Sequence, residues 1–576
     1  MTSRQKKQRL ERRHAHAETT RAGSKLSRLA LGTGVGMGAA LALASPATAA
    51  DFTVTNLDPG GPGSLANAVA ETNASPGPDR ILFQSGLSGT ISPQFPLISY
   101  GGDLEIVGPG ADVITVKGDE SFPLVLVGNP SAETPGAFTV SGLTLTDGDS
   151  DYGGAISAVN TNVSVSDSIL TSNAAQVGGA IYAGFQGYEE PGRDGSITVD
   201  HSTFTGNSSG LGGALASTGN ITVTNSTMNH NKGLQGAGAI EMLSSETEDT
   251  LLKVEQSTFN RNSSATAGGA IAVLSGPEGI STDLDMSSST VSGNIAGFIG
   301  GGILGGFTEG TISNSIVENN FAYYGPDIYS GDFGGPPPPE PGCGCYGTDF
   351  ATSFSFIGDT SQALITSTVA DSNILNGGDA GLGRLADNGG STQTMAIGSD
   401  SPVVNKGSSP LTTDQRDEKR PVLYPGIPNS TAPGANGADM GAYELQYTAP
   451  PPPPPSYRPF LILGSTPNRK KGTATVKVKI PAPGSVRLVG HGIIKSSEQT
   501  FDTKGVYTFQ VVPKGKNIKQ RLNRKGRARV LVKFRYSPDE GRVLAKGKAV
   551  ALFKGNKSKK AKKAALRELR SSDFGR

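Results

Sequence analysis

Six segments of the chain share one alternation of apolar and polar positions. In each, two apolar residues alternate with polar ones up to a Ser, another apolar residue follows two positions on, and an Asn five on. The Ser column runs Ser168, Ser202, Ser226, Ser257, Ser289 and Ser315, a spacing of 24 to 34 residues. The Asn column keeps step at Asn173, Asn207, Asn231, Asn262, Asn294 and Asn320. Three residues before each Ser stand Val165, Val199, Val223, Val254, Met286 and Ile312, and two after stand Leu170, Phe204, Met228, Phe259, Val291 and Val317. Five before stand Val163, Ile197, Ile221, Leu252 and Leu284, with Gly310 the exception. Alternation at period two marks a strand with one buried face. A small-residue tetrad follows each of the first five Asn residues, as in Gly178-Gly-Ala-Ile181 and Gly268-Gly-Ala-Ile271.

A period of this size, carrying strands and no helical pattern, predicts a solenoid. The same face recurs in every copy, so the strands stack in parallel around one interior. Val165, Val199, Val223 and Val254 are expected in a single inner column. Each copy is read as two short strands, the alternating one and the tetrad one, forming a coil of a parallel β-helix that rises about 4.8 Å per copy. Variable spacing fits, because insertions in a solenoid go into outer loops. The Asn residues are expected to stack as an amide ladder at one corner. The same reading covers the Asn-x-Ser/Thr triplets at Asn207, Asn220, Asn225 and Asn262, which are turn chemistry first and glycosylation acceptors second.

Composition agrees with a thin core. Of 576 residues 80 are Gly, none is Trp, and 35% are hydrophobic, and a solenoid buries a narrow continuous interior. Residues 1–50 read as a signal peptide: nine Lys and Arg up to Arg28, an apolar stretch from Leu29 to Ala44, then small residues through Ala50. The stretch is short and Gly-rich for a membrane span, which points to a secreted or cell-surface protein that does not span the membrane. Cys343 and Cys345 are the only cysteines. An oxidising destination permits a disulfide between them or to another molecule, and two thiols are too few for a zinc site.

Charge divides the chain. Residues 51–456 hold 11 Lys and Arg against 42 Asp and Glu, a net of −31. Residues 457–576 hold 31 against 6, a net of +25. Opposite fields on one chain argue for an interaction module. A Pro-rich linker, 447–456, separates the two parts. Beyond it, segments such as Ala474-Thr-Val-Lys-Val-Lys-Ile480 and Arg527-Ala-Arg-Val-Leu-Val-Lys-Phe534 alternate between turn residues. They predict a small, basic, Ig-like β-sandwich over 457–555 with Lys and Arg outside, followed by a Lys-rich tail at 556–576.

Several stretches resemble a known bacterial family. Phe52-Thr-Val-Thr-Asn56, Gly63-Ser-Leu65 and Asp79-Arg-Ile-Leu-Phe83 resemble its opening. Leu385-Ala-Asp-Asn-Gly-Gly390, Ser401-Pro-Val-Val-Asn405, Thr413-Asp-Gln-Arg416, Arg420-Pro421 and Gly437-Ala-Asp-Met-Gly-Ala-Tyr-Glu444 resemble its closing block. The family is the secreted right-handed parallel β-helix proteins of the choice-of-anchor type, related to the polymorphic outer-membrane repeat proteins. The resemblance covers roughly 51–446. It implies an all-β, right-handed β-helix passenger joined to whichever envelope attachment the host uses. No Leu-Pro-x-Thr-Gly motif occurs and no apolar span closes the C-terminus; the basic sandwich stands there instead. The domain reading is an N-terminal cap at 51–79, the β-helix at 80–384 and a C-terminal cap at 385–446. Ser64 would cap a helix reaching Thr72, with Leu65, Ala68 and Val69 over the first coil. The closing block would fold over the last coil, held by ion pairs of Asp414, Arg416 and Arg420.

A β-helix also hosts polysaccharide lyases and hydrolases, which need carboxylates converging on one bond. No such constellation is visible. After the signal the histidines are His201, His230 and His491. The first two fall in different columns, and Gly490-His491-Gly492, which mimics a pectinase triplet, lies in the basic module. Asp147, Asp149 and Asp151 are spaced as in a Ca²⁺ loop, but position twelve is Ala158, so a turn competes with a Ca²⁺ site. The reading is a non-catalytic, adhesin-like scaffold whose basic module meets an anionic cell-envelope polymer or polysaccharide. The alternative is a polysaccharide-degrading enzyme. Nucleic acid is disfavoured by export and by the few interleaved aromatics.

Overall fold

The computed structural model describes residues 49–555 apart from 76, 101–102, 129–133, 185–194, 244, 246–247, 275–279, 307–308, 332–348, 448–459 and 540–541. Residues 1–48, read from the sequence as most of a signal peptide, lie outside them, as do Cys343 with Cys345, most of the Pro-rich linker and the Lys-rich tail. Two compact units result, one ending at Tyr447 and the other beginning at Thr448.

The first unit is a stack of parallel strands. Following the chain around a coil, its four sheets hold twelve, eleven, six and nine strands. The first sheet contains Thr161–Ser166, the second Ile169–Thr171, the third Ala174–Val177 and the fourth Ile181–Ala183. Each coil thus has up to four short strands where two were expected. The reason is backbone curvature at the corners. Asp167, His201, Asn225, Gln256, Ser288 and Asn314, each just before the repeat Ser, all have φ between 45° and 49°. Ser172, His230, Arg261 and Asn319, just before the Asn, lie between 54° and 57°. A left-handed residue costs about 1–2 kcal/mol when it is not Gly, so each corner needs local compensation.

The Ser and Asn columns supply it. The Ser168 backbone N–H donates to Ser202 Oγ at 3.2 Å, and the relation repeats from Ser202 to Ser226 and onward to Ser355. Asn173 donates to Asn207 Oδ1 through both its backbone N–H and Nδ2, each at 3.0 Å. Asn207, Asn231, Asn262 and Asn294 repeat that bidentate contact with the next coil. Each Nδ2 also reaches a main-chain carbonyl, Leu170 O in the case of Asn207. The ladder is buried and its amides are fully used.

The inner column forms as the alternation requires: Val165 pairs with Val199, Val199 with Val223 and Val223 with Val254. All four are buried, each worth about 1.5–3 kcal/mol relative to exposure. Gly310, the break in its column, is matched by Phe350 on the next coil. A Cβ on Gly310 would lie 2.5 Å from the Phe350 ring, so the large residue fills the space of the small one. The tetrads bend for two reasons. Gly178 takes φ +65°, and a Cβ on Gly179 would sit 2.2 Å from Gly213 O on the next coil.

At the front, helix α1 (Leu65–Thr72) starts as expected, with the Asn67 N–H donating to Ser64 Oγ at 3.1 Å. Leu65, Ala68 and Val69 join the core. The stack itself begins earlier than expected, since Asp51–Val54 is the first strand of the first sheet, paired with Asp79–Phe83. The closing segment also differs. It runs back along the outer face of the second sheet rather than over the last coil. The outward column there is Thr227, Thr258, Thr290, Ile316 and Phe356. Thr227 Oγ1 donates to Gln393 O, Thr258 Oγ1 to Gln415 Oε1, and the Ala442 N–H to Thr290 Oγ1. Ile316 and Phe356 pack with Val403, Val404 and Met440. Polar Thr residues that look solvent-facing in the sequence are therefore docking groups for this strap.

The second unit has antiparallel sheets of three and four strands around their own core. The strands Thr473–Ile480, Gly484–Val489, Gly505–Val511, Arg527–Pro538 and Leu544–Phe553 fall where alternation placed them. Leu461–Asn468, Ser497–Phe501 and helix α2 (Lys516–Lys525) were not anticipated.

Candidate functional site

The acidic residues flagged as a Ca²⁺ loop do not converge. Asp147 sits at a corner with φ 59° and pairs with Lys117 at 3.1 Å. Asp149 and Asp151 lie on the strand Asp149–Tyr152, and Asp151 accepts from Gln176 Nε2 at 2.6 Å. Among the described residues no group of three His, Cys, Asp or Glu side chains is placed to hold a metal ion.

The histidines stay apart. His230 occupies an exposed corner beside Asn229, and His491 a turn of the second unit. His201 bridges coil and strap, with Nδ1 at 2.8 Å from Asp200 Oδ2 and Nε2 at 3.2 Å from Asp417 Oδ2. The Asp200 carboxylate raises the His201 pKa to about 9, against the opposing effect of burial. His201 is thus a cationic latch at neutral pH.

Carboxylates with raised pKa do exist, and each accepts at least one hydrogen bond from the fold, while Glu318 Oε1 has no partner. Burial pushes Glu241 and Glu318 up to about 7 and Asp327 to about 6. Glu241 accepts from the Ala237 N–H, Glu318 from the Ala380 N–H, and Asp327 from Asn320. In the strap, burial lifts Asp439 to about 7 and also raises Glu444. Arg420 meets Glu444 at 2.9 Å with both side chains fully buried, and Arg416 meets Asp414 at 2.6 Å. The expected role of Asp414, Arg416 and Arg420 as loop-holding ion pairs is what the structure contains. A small pocket beside Ser99, Leu104, Val127, Phe138 and Thr161 is lined by no acid or base.

The second unit carries a row of cations on the outer face of its four-stranded sheet and a cluster of them at one end. In the four-stranded sheet Val530, Val532, Phe534 and Tyr536 point into the core. Alternation then turns Arg527, Arg529, Lys533 and Arg535 outward, all exposed. Arg487 stands directly opposite Arg535, and its pair with Glu498 on the other side is long, 3.9 Å. Like charges opposite one another destabilise a sheet, so this face is not arranged for stability alone.

Three cationic segments, distant in sequence, meet at one end of this unit. The turn Arg469-Lys470-Lys471 joins Leu461–Asn468 to Thr473–Ile480. The Gly555 N–H donates to Arg469 O at 2.9 Å, and the Lys554 N–H to Gly526 O at 2.9 Å. Gly526, in the left-handed conformation, ends α2, whose last turn carries Arg524 and Lys525. Cations are favourable at a helix C-terminus. Asp539 lies at the opposite end, where its N–H donates to Pro483 O. The result is a basic pole leading directly into the Lys-rich segment 556–576.

Among the described residues no helix is long and apolar enough to cross a membrane. No family model matches the chain, and no curated protein does either.

Proposed function

We propose that the protein is an exported, non-catalytic β-helix scaffold of the choice-of-anchor type, right-handed and adhesin-like in use. Its Ig-like basic unit holds it to an anionic polymer of the cell envelope. The basic pole carries this reading: Arg469, Lys470, Lys471, Arg524, Lys525 and Lys554 converge from three segments. A cluster of this kind attracts polyanions strongly, and its attraction falls as salt shortens the screening length to about 8 Å at 0.15 M. The acidic β-helix, with 11 Lys and Arg against 42 acids, is repelled by the same polymer.

Attachment of this type is shared among many charges and depends on no single residue. The test is retention on isolated cell walls across a salt series, with 457–576 and 51–446 incubated separately. The basic half is expected to bind at low salt and elute as salt rises, while the acidic half stays in solution. A basic half that remains in the supernatant at low salt, or binds without regard to salt, overturns the reading. The rival enzyme would have to place an acid and a base at an open cleft, and the raised carboxylates described above are buried within the fold.

A further inference from the structure

We infer that the outer face of the four-stranded sheet is a track for an extended polyol phosphodiester, a chain of the poly(glycerol phosphate) class, laid along the strand Arg527–Pro538. This deepens the anchoring reading and rests on it, since it names the polymer held and a surface, distinct from the basic pole, that recognises it.

One side of the track is a row of cations. Along that strand Arg529, Lys533 and Arg535 alternate with the core residues Val530, Val532, Phe534 and Tyr536, and all three cations are exposed. On the neighbouring strand Arg487 stands directly opposite Arg535, and its pair with Glu498 is long, at 3.9 Å. Two guanidiniums thus face one another at the end of the row, where an anion set between them relieves their repulsion. The other flank is low. Ala551, Ala549, Gly547 and Ala545 of the edge strand Leu544–Phe553 lie opposite Arg529, Leu531, Lys533 and Arg535, and all four are exposed. No side chain there is larger than a methyl group, so a polymer can lie beside the cations along their whole length.

Spacing and charge select the polymer. Alternate residues of an antiparallel strand are about 6.8 Å apart and six covalent bonds apart. Successive phosphorus atoms of a 1,3-linked glycerol phosphodiester are also six bonds apart, through two P–O, two C–O and two C–C bonds, so an extended chain advances by a comparable step. Phosphates then fall beside Arg529, Lys533 and Arg535, while one more passes Leu531, which is 73% exposed and is the gap in the row. Hydrogen bonds from guanidinium or ammonium to phosphate are charge-assisted and strong. Free rotation within each polyol unit lets the chain follow the right-handed twist of the strand. A nucleic acid shares the six-bond repeat, but its bases need aromatic platforms. No aromatic ring stands among the outward positions from Arg529 to Arg535 or opposite them on the two paired strands.

The test adds a cation as well as removing one. Calorimetry in about 0.15 M NaCl compares the chain 51–576 binding poly(glycerol phosphate), polygalacturonate and oligothymidylate of matched charge. Poly(glycerol phosphate) is expected to bind most tightly. Leu531→Lys fills the gap and should tighten it about tenfold, the value of one further hydrogen bond to a charged group. Gln510→Lys adds the same charge at an exposed position of the three-stranded sheet and should leave the affinity nearly unchanged. Arg529→Gln and Lys533→Gln should each weaken binding about tenfold. Equal gains from Leu531→Lys and Gln510→Lys overturn the track, as does an Arg529→Gln, Lys533→Gln double variant that binds like wild type. Polygalacturonate bound as tightly as poly(glycerol phosphate) overturns the phosphodiester assignment, and oligothymidylate bound as tightly makes nucleic acid the occupant instead. Each of these failures leaves salt-sensitive retention of the basic half on cell walls in place, whereas loss of that retention overturns the anchoring reading itself.

Discussion

Asp327 occupies the place that an Asn would take at the end of the amide ladder. Its Oδ1 accepts from Asn320 through the backbone N–H at 3.1 Å and Nδ2 at 2.9 Å, the same bidentate contact that links each Asn to the next coil. The substitution works because the last position need only accept. Its other oxygen takes the Asp359 N–H at 2.7 Å, so no carboxylate oxygen faces another acceptor there.

An interior rung has no such freedom. Asn231 accepts twice from Asn207 and donates Nδ2 to both Phe204 O and Asn262 Oδ1. Asn231→Asp would keep the accepting side and set a carboxylate oxygen against two acceptors. The expected loss is about 3 kcal/mol or more at pH 7, as for a buried charge left without a donor, with partial recovery at pH 4 as the carboxyl protonates. Asp327→Asn should cost only about 1 kcal/mol, the value of the Asp359 bond. Thermal midpoints of the two variants at both pH values decide it. Equal midpoints for Asn231→Asp and wild type at pH 7 would show that the ladder does not carry this energy.

Gly310 provides a test in which restoring the repeat does harm. Its column otherwise holds Val163, Ile197, Ile221, Leu252 and Leu284, so a consensus argument recommends Gly310→Val. The Phe350 ring already fills that volume, and overpacking a closed core costs about 1–3 kcal/mol. Gly310→Val should therefore lower the midpoint, and the double variant Gly310→Val, Phe350→Val should recover part of the loss. A stabilised single variant would refute the compensation between coils.

The inner register was legible because a buried column repeats in kind: Val165 and Val199 announce one another, and so do Asn173 and Asn207. What periodicity could not show is contact with a segment from elsewhere in the chain. Thr227, Thr258 and Thr290 are polar in the sequence and buried in the structure because the strap lies on them. The corner residues vary for the same reason, since His201 takes Asp417, Gln256 takes Thr413 O and Ser288 takes Ser409. The excess of cations in the second unit was visible by counting. Its pole was not, because antiparallel pairing brings Arg469, Lys525 and Lys554 together from three separate turns.

Stability of the β-helix should fall as pH rises from 5 to 8. Glu241 has its pKa raised from the ordinary 4.5 to about 7 by burial. In that window the native state holds a proton that the unfolded state has released, so folding loses free energy as the pH climbs. The full shift corresponds to an effect of about 3 kcal/mol. His201, raised to about 9, acts in the same direction, its contribution complete below 6.5 and lost as pH passes 9. Glu241→Gln should narrow the difference in thermal midpoint between pH 5 and pH 8 while leaving in place the His201 loss, which falls between pH 6.5 and 9. An unchanged difference between pH 5 and 8 would exclude Glu241 as its source.

Arg487 and Arg535 face one another across two strands in register, and that arrangement separates stability from binding. Neutralising one member relieves a like-charge contact, whose scale for cross-strand pairs is about 0.2–1 kcal/mol. Arg535→Gln should therefore raise the melting midpoint of the basic unit slightly. It leaves the long Arg487–Glu498 pair without its competing neighbour, which works in the same direction. The same change removes one cation from the exposed face, and each charge that contacts a polyanion contributes up to about one released counterion to the salt dependence. On a polyphosphate resin, Arg535→Gln should elute at lower salt with a shallower slope of log affinity against log salt. Arg535→Lys, which keeps the charge, should restore the elution and lose the gain in stability. If Arg535→Gln destabilises the unit, the pair is not repulsive in effect. If it elutes with wild type, the outer face of the four-stranded sheet takes no part in binding and the pole at Arg469, Lys525 and Lys554 acts alone.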